Sequence, residues 1–256
     1  GGAAAKTGTA LKILGIETEL DTQLGDDMTG QMIQTITNHY GMKGIKIVPG
    51  ATSPVSVIMA PPGIDRMFFL NAELNHTYGW DCVDYDRVAR AKLFHFGYPA
   101  SIRRMFEGGA VEMKKLYQMA KETGVTTSLD TNMGDVYGDA GRADWGEILS
   151  SSLPYIDIFI PSLEETVFLF EREEFFRLNK EYPDKDKVDI IDINIVRDLA
   201  DRILAMGPKI PGIKCGKKGL YIKTKDSLEG LGSRGPSGLR KTIQLCYSLA
   251  ASTLWL

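Results

Sequence analysis

Short apolar runs alternate with longer segments of helical spacing through most of this chain, and this alternation constrains its fold more than any other feature. Strand-like runs occupy 92–96, 126–130, 156–160 and 210–215, and segments of helical periodicity over 111–122, 145–151 and 195–206 separate them. Parallel strands need a long crossover between them, usually a helix. The order therefore predicts an α/β fold with a mostly parallel sheet and helices on both faces.

Two helices are also predicted near the beginning of the chain, over 3–14 and 28–40, with a strand at 16–24 between them. At the other end, 220–224 is predicted to form a hairpin with the strand before it, because a glycine-bounded turn separates the two runs. That turn reads Gly216-Lys217-Lys218-Gly219.

Residues 44–78 interrupt the alternation. Two β-type runs, Val55–Met59 and Arg66–Leu70, flank a segment rich in turn formers, which predicts a hairpin. We interpret 44–78 as a small β lid inserted into one domain that spans 1–256.

Composition argues against several classes of protein. The net charge is −3 with no basic cluster, which argues against a nucleic-acid surface. No apolar stretch is long enough to span a bilayer. The three cysteines, Cys82, Cys215 and Cys246, lie far apart and are expected to be free, buried thiols, as suits a cytoplasmic protein. His95, within an apolar strand, is expected to be a hydrogen-bonded core histidine.

Polar residues follow three of the predicted strands, and the carboxyl ends of parallel strands are where open α/β sheets bind ligands. The residues at these ends are Asp130, Thr131, Asn132, Ser162, Glu165, Gly216 and Lys217. Carboxylates, glycines and lysines at one edge suit Mg²⁺ and phosphate groups. Local roles stay open beside this one: an Asx turn at Asp130, a capping box from Ser162 to Glu165, and a plain hairpin turn at Gly216.

Several motifs, taken in order, resemble those of the ribokinase-like (PfkB) carbohydrate kinases. They are Gly1-Gly2-Ala3-Ala4-Ala5-Lys6, Leu24-Gly25-Asp26-Asp27-Met28-Thr29-Gly30, Asp130-Thr131-Asn132 with Trp145, Pro161-Ser162-Leu163-Glu164-Glu165, and Ile213-Lys214-Cys215-Gly216-Lys217-Lys218-Gly219. Asn71 stands near the end of the lid, where the family has a glycine-alanine-asparagine sequence. The resemblance covers nearly the whole chain.

The resemblance implies a three-layer α/β/α fold and transfer of the γ-phosphate of ATP, with Mg²⁺, to a hydroxyl of a sugar or sugar-like substrate. The implied substrate-binding residues are Gly1, Gly2, Lys6 and Asn71. The implied nucleotide- and phosphate-binding residues are Asp130, Asn132, Glu165, Gly216, Lys217 and Gly219, with Glu165 also at the metal. The lid serves as a dimer interface in many relatives, so a homodimer through the lid is a further expectation.

The sequence departs from the family pattern at functional positions. Lys6 and Ser162 stand where asparagines are usual, and Met133-Gly134 replaces an arginine neighbourhood. The glycine-alanine-glycine-aspartate signature, which carries the catalytic base, is absent from 231–238. The tail at 239–256 resembles the helix that follows the signature helix, so we expect that residues are omitted before the tail, and an N-terminal strand as well.

Three hypotheses therefore remain. The first is a sugar kinase, and the second is a sugar- or nucleotide-binding relative that lacks the catalytic base. The third is an unrelated α/β protein such as a small-molecule transferase. The motifs do not distinguish among hexose, pentose, keto-deoxy-acid and nucleoside acceptors.

Overall fold

Nine strands form three sheets in the part of the chain that the computed structural model describes, which is residues 2–62, 67–228 and 231. The strands are β1 (Thr22–Gly25), β2 (Ile45–Val48), β3 (Val55–Met59), β4 (Met67–Asn71), β5 (Leu93–Gly97), β6 (Thr126–Asp130), β7 (Ile158–Phe159), β8 (Ile210–Lys214) and β9 (Leu220–Ile222). The central sheet has the order β5-β6-β7-β8-β9. Its first four strands are parallel, and β9 runs antiparallel to β8. The predicted mostly parallel sheet and its terminal hairpin are confirmed.

Helices occupy most of the segments between these strands. They are α1 (Gly2–Ile13), α2 (Met28–His39), α3 (Glu73–His76), α4 (Tyr85–Val88), α5 (Arg104–Glu107), α6 (Val111–Glu122), α7 (Asp139–Arg142), α8 (Trp145–Ser152), α9 (Leu163–Phe170), α10 (Arg172–Glu181), α11 (Lys187–Ile190) and α12 (Ile193–Ala205). Short 3₁₀ turns lie at Trp80–Cys82, Pro99–Ser101, Leu153–Tyr155 and Gly216–Lys218. No helix of the described chain has both the length and the apolarity that crossing a bilayer requires.

The core forms where α6 packs on the central sheet. Met113, Leu116, Tyr117 and Ala120 lie at helical spacing along α6 and are fully buried. The buried Tyr117 hydroxyl donates a hydrogen bond of 2.9 Å to the carbonyl oxygen of Ser128 on β6. Burying each large apolar side chain stabilises the fold by about 1.5–3 kcal/mol, so this one helix face fixes the sheet in place.

A buried carboxylate joins the amino ends of three strands of this sheet. Asp157, just before β7, is 3% exposed. It accepts hydrogen bonds from Lys121 at 2.7 Å, from Lys209 at 3.0 Å and from the Thr127 backbone amide at 3.0 Å. Lys209 precedes β8 and Thr127 lies in β6, so this cluster lies at the edge opposite the predicted ligand edge.

The N-terminal part forms a separate two-stranded sheet. Strand β1 pairs in parallel with β2, so residues 45–48 join β1 rather than the predicted lid hairpin. The predicted strand over 16–24 is also shorter than expected, because pairing with β2 begins only at Thr22. Pairing between segments about twenty residues apart depends on tertiary contacts, which a local pattern does not contain.

Strands β3 and β4 form the predicted hairpin, antiparallel from Val55↔Asn71 to Met59↔Met67. We call these two strands the apolar hairpin, because most of their side chains are apolar. The apolar ones are 40–64% exposed. Residues 63–66 of the intervening turn lie outside the described residues.

Candidate active site at the carboxyl edge of the sheet

The carboxyl ends of β6, β7 and β8 meet at one edge of the central sheet. Asp130 ends β6, Lys214 ends β8, and Ser162 follows β7 between them. Ser162 forms a parallel bridge with Lys214, whose backbone amide donates to the Pro161 carbonyl oxygen at 2.9 Å. The Lys214 ammonium group forms an ion pair with the Asp130 carboxylate across the end of β7. Parallel topology thus gathers the polar residues that follow separate strands.

Glu165 is held at this edge by a capping box. Its Oε2 atom accepts hydrogen bonds from the Ser162 backbone amide at 2.7 Å and from the Thr131 hydroxyl at 2.9 Å. The Ser162 hydroxyl in turn accepts from the Glu165 amide at 3.2 Å, so the predicted capping box is confirmed. Within the described chain, the second oxygen of Glu165 accepts no hydrogen bond, which leaves it available to a ligand.

Asn132 follows β6 at the same edge, and only one of the two polar atoms of its side-chain amide has a hydrogen-bond partner. Its Nδ2 atom donates to the Ser101 hydroxyl at 2.9 Å. Its Oδ1 atom is buried and has no hydrogen-bond partner in the described structure. The Asp130 carboxylate pairs with Lys214 rather than accepting from a nearby backbone amide. The alternative interpretation of Asp130 as part of an Asx turn is therefore wrong. A buried amide oxygen without a partner is a candidate contact for a polar ligand.

The glycine turn after β8 has the backbone geometry that requires glycine. Gly216 and Gly219 have φ of 50° and 90°, values that side chains with a Cβ rarely adopt. The Cys215 amide donates to the Gly219 carbonyl oxygen at 2.7 Å and closes the turn. Lys217 on this turn pairs with Asp189 of α11 at 2.8 Å, so its ammonium group is engaged away from Asp130. This pairing raises the pKa of Lys217 and lowers that of Asp189.

Tyr98 is a residue of this edge that the sequence did not indicate. It follows β5 with φ of 67°, and its amide donates to the Asp130 carbonyl oxygen at 3.0 Å. Burial, and then the Asp130 carboxylate, raise the pKa of its phenol. A left-handed conformation at a non-glycine residue is strained and is concentrated at functional sites. The sequence carries no signal for such a conformation at a tyrosine.

The first helix of the chain approaches the same edge. A Cβ on Gly97, at the end of β5, would lie 2.5 Å from the Ala3 side chain, so α1 packs directly on this glycine. Gly97 pairs in register with Asp130, which puts the start of α1 and Gly2 near the carboxyl edge. Gly1 lies outside the described residues, and Lys6 is exposed on α1.

The remaining candidates have local roles. Asn71, at the end of β4, accepts a hydrogen bond from the Glu73 amide at 3.3 Å, and within the described residues it forms no hydrogen bond with Asp130 or Glu165. His95 Nδ1 lies 2.6 Å from the Ser128 hydroxyl, and burial lowers its pKa. The predicted hydrogen bond of His95 is thus present, but the residue is half-buried at the edge of the core. Cys215 is buried, but Cys82 is partly exposed, contrary to expectation, because it lies in an outer 3₁₀ turn.

The described residues fit magnesium in one particular mode. No group of three or more histidine, cysteine or acidic residues among them could form a protein cage for a metal. Mg²⁺ usually binds through one or two carboxylates, water and substrate phosphates instead. Glu165, whose second oxygen has no hydrogen-bond partner in the described chain, and Asp130, which ends a neighbouring strand at the same edge, fit this mode. The stretch 232–238, where the family resemblance would place the catalytic base, and the tail at 239–256 lie outside the described residues.

Comparison with known proteins defines the class. The family model for pfkB family carbohydrate kinases matches residues 1–231, so the chain belongs to that family. The prediction of family membership is confirmed, and the hypothesis of an unrelated α/β protein is wrong.

Two plant proteins are among the similar sequences. One, a probable chloroplastic fructokinase-6 from Arabidopsis thaliana, is 28% identical over 179 residues, which cover 68% of this chain and 45% of that protein. A fructokinase from Solanum tuberosum is 31% identical over 137 residues, 52% of this chain and 42% of that protein. The chain thus spans less than half the length of these relatives.

Solved structures share the fold at lower identity. Fructokinase from Xylella fastidiosa has a TM-score of 0.66 at 16% identity, covering 89% of this chain and 64% of that one. A structure of fructokinase from the same organism with bound ATP has a TM-score of 0.65 at 16% identity, with the same coverage. A putative ribokinase II from E. coli has a TM-score of 0.65 at 19% identity, covering 89% of this chain and 66% of that one. The predicted three-layer α/β/α fold is confirmed.

Proposed function

We propose that the protein is an ATP-dependent kinase that transfers the γ-phosphate to a hydroxyl of a sugar or sugar-like substrate. The observation that carries this proposal is the gathering of Asp130, Glu165 and the glycine turn at one edge of the sheet of a carbohydrate-kinase family member. Phosphoryl transfer depends mainly on positioning and charge neutralisation, which such an edge provides.

The nucleotide is proposed to lie along this edge. The Gly216–Gly219 turn would present the backbone amides of Gly216 and Lys217 to phosphates, since the amides of Lys218 and Gly219 already donate within the turn. The Lys217 ammonium group would add positive charge there only on leaving its partner Asp189. The unpartnered Asn132 oxygen and the Asp130 carboxylate would line the same groove. Glu165 would hold Mg²⁺ directly or through water. When bound, Mg²⁺ would neutralise charge on the transferred phosphoryl group.

The sugar is proposed to lie beside the start of α1. The close contact between Ala3 and Gly97 brings the Gly1-Gly2 pair toward the carboxyl edge, and Lys6 lies one turn further along the helix. Asn71, on the apolar hairpin, would contact the sugar when the hairpin acts as a lid and excludes water. Because the similar plant proteins are named fructokinases, fructose is the first substrate to test.

The test is ATP turnover by the full-length gene product with fructose, ribose and a panel of nucleosides. We expect ADP release that depends on one sugar class and falls by about a hundredfold in Glu165→Gln, which keeps the shape of the side chain but not its charge. The matched control is Glu164→Gln, one residue away on the exposed side of α9. An enzyme whose turnover does not respond to Glu165→Gln would contradict the assignment of this edge.

The second candidate function is a binding protein of the same fold without catalysis. The absence of an aspartate from 231–238, together with Lys6 and Ser162 at positions of usual asparagines, favours it. No turnover with any sugar, combined with a sugar- or ATP-dependent rise in melting temperature, would support it over the kinase. A Gly-x-Gly-Asp sequence between Thr224 and Leu239 in the complete gene would instead strengthen the kinase proposal.

We also propose that two copies associate through the apolar hairpin. Paired residues share a face of a hairpin, so Val57, Met59, Met67 and Phe69 form one apolar face, while Ile58, Phe68 and Leu70 lie on the other. Exposed contiguous apolar surface of this kind marks interaction sites. Asn71 pairs with Val55 on the same face as Val57 and Phe69, so that face is left for the ligand and the opposite face for a second copy.

A cytoplasmic location is proposed as well. The two described cysteines, Cys82 and Cys215, are free thiols, which suits a reducing compartment.

A further inference from the structure

The ion pair between Lys214 and Asp130 has no place in the function proposed so far. Lys214 ends β8 and Asp130 ends β6, so the pair crosses the end of the short strand β7 that lies between them. The Asp130 carboxylate has no other recorded partner among the described residues. The lysine side chain is 41% exposed and the aspartate side chain 22%. An ion pair with this much exposure to solvent contributes little to stability.

A second lysine–aspartate arrangement in the same sheet shows what a structural pair looks like here. At the opposite edge, the Asp157 side chain is 4% exposed and contacts two lysines and a backbone amide. That carboxylate is fully engaged, and its partners are held from three directions. The Lys214 pair has none of this support, so its lysine can leave its partner without disturbing the sheet.

Lys214 lies between the glycine turn and Glu165, and a nucleotide phosphate chain would contact both. Lys214 directly precedes Cys215, and the glycine turn begins at the next residue, Gly216. The Lys214 backbone pairs with Ser162, whose amide holds Glu165. Phosphates that extend from the turn toward a metal at Glu165 therefore pass Lys214.

A cation besides Mg²⁺ would help to balance the negative charge at this edge. Asp130 and Glu165 both carry negative charge where an anionic phosphate chain would lie, and Lys217 is already paired with Asp189. Lysine carries a compact charge on a flexible four-carbon stem, which allows it to change partners. We propose that Lys214 binds the nucleotide phosphates, and that Asp130 holds its ammonium group in the nucleotide-free protein and gives it up when the nucleotide binds. This inference rests on the proposed function, since it assumes that a nucleotide binds at this edge.

The competing explanation is that the pair only fastens β6 to β8. In that case the loss of either partner breaks the same contact, so Lys214→Met and Asp130→Asn should change nucleotide affinity alike. Our proposal predicts opposite changes when Mg²⁺ is absent. Removing Lys214 removes a phosphate ligand, whereas removing the Asp130 charge frees the lysine and removes a repulsion.

The experiment is isothermal titration of the full-length gene product with ATP and with adenosine, in EDTA at low salt. We expect Lys214→Met to weaken ATP binding about tenfold, the loss of one charge-assisted contact, and to leave adenosine binding unchanged. Asp130→Asn should tighten ATP binding about threefold. Lys214→Arg should stay close to the wild type.

The matched control is Lys223→Met, because Lys223 also forms an exposed pair, with Asp201, but follows β9 at the other edge of the sheet. Circular dichroism and melting curves show whether each variant is folded. Should Lys214→Met fail to fold, the salt dependence of ATP binding in Lys214→Gln replaces it, and a slope unchanged from wild type would count against us.

Equal ATP affinity in wild type and Lys214→Met, or weakening of similar size in both Asp130→Asn and Lys214→Met, would overturn the inference while leaving the kinase proposal standing. A wild-type protein that shows no ATP binding, with or without Mg²⁺, would overturn both.

Discussion

Two aspartates of the central sheet each meet lysines, and their surroundings give the two contacts different roles. Asp157 lies at the amino edge with a side chain only 4% exposed, whereas the Asp130 side chain at the carboxyl edge is 22% exposed. Breaking a buried pair leaves uncompensated charge in the interior, while an exposed pair is nearly neutral to stability. The amino edge is thus built for stability, whereas the carboxyl edge, where we propose that the ligands bind, holds a weaker charge pair.

At Asp157 this difference predicts a large effect on stability. Replacing Asp157 with Asn keeps the side-chain shape but leaves Lys121 and Lys209 facing one another without a counter-charge. We expect the free energy of unfolding in urea to fall by about 3 kcal/mol. Lys223→Met, which breaks the exposed pair with Asp201, should cost less than about 1 kcal/mol in the same assay. Equal costs for the two variants would show that burial does not decide the role of these pairs.

The start of helix α2 shows how one element can be specified by a few residues. Asp27 caps α2 by accepting from the Gly30 amide at 2.8 Å, and it also accepts from the Ser53 hydroxyl at 2.6 Å and the Ser53 amide at 3.0 Å. A Cβ on Gly30 would lie 2.1 Å from the Gly25 carbonyl oxygen. The Gly-Asp-Asp…Gly block is therefore required by packing between α2, β1 and the loop after β2.

This cap predicts a pH dependence of stability. The hydrogen bonds from Ser53 and Gly30 hold the pKa of Asp27 below its ordinary value. A carboxylate with a depressed pKa in the folded state stabilises the fold above its unfolded pKa of about 3.9, and this contribution disappears as the pH falls through the folded pKa. The stability difference between wild type and Asp27→Asn should therefore be largest above about pH 5 and shrink below about pH 4.

Urea unfolding of the two proteins between pH 3 and 7 measures this difference. Ser53→Ala removes the strongest of the three hydrogen bonds to Asp27 and should reduce the same pH dependence. A difference between wild type and Asp27→Asn that stays constant across this range would argue against a role for the Asp27 charge.

Sequence patterns predicted the positions of helices and strands better than they predicted which strands pair. Helix α2 was expected over 28–40 and ends at His39, and β6 was expected at the residues where it forms. Strand β7 is predicted over 156–160 but is formed only by Ile158 and Phe159, although the backbone amides of Asp157 and Ile160 still donate to Thr127 and Leu129 of β6. Residues 45–48 pair with β1, since strand partners are chosen by tertiary contacts that local periodicity does not record.

The same limit applies to the site across the whole molecule. Parallel strands end at one edge of a sheet, and this rule predicted that Asp130 and Glu165 would lie at the same edge. The capping box that holds Glu165 was also predictable, because Ser162 and Glu165 stand three residues apart in the sequence. Lys214 was missed because its partner lies 84 residues away. Tyr98 was missed because its left-handed backbone depends on the Asp130 carbonyl oxygen.

Association of two copies is the prediction that belongs to the whole molecule. Phe68 lies on the apolar face formed with Ile58 and Leu70, opposite the face that carries Asn71, and its own side chain is 52% exposed. We expect the full-length protein to be a dimer by light scattering at micromolar concentration. Phe68→Glu should weaken the dimer about thirtyfold, as the loss of an aromatic hot spot does. Phe69→Glu, the matched change on the face that carries Asn71, should leave the dimer intact and raise the sugar KM, because that face is left to close over the ligand. A wild-type monomer would contradict the dimer, and loss of the dimer in Phe69→Glu but not in Phe68→Glu would contradict this assignment of the two faces.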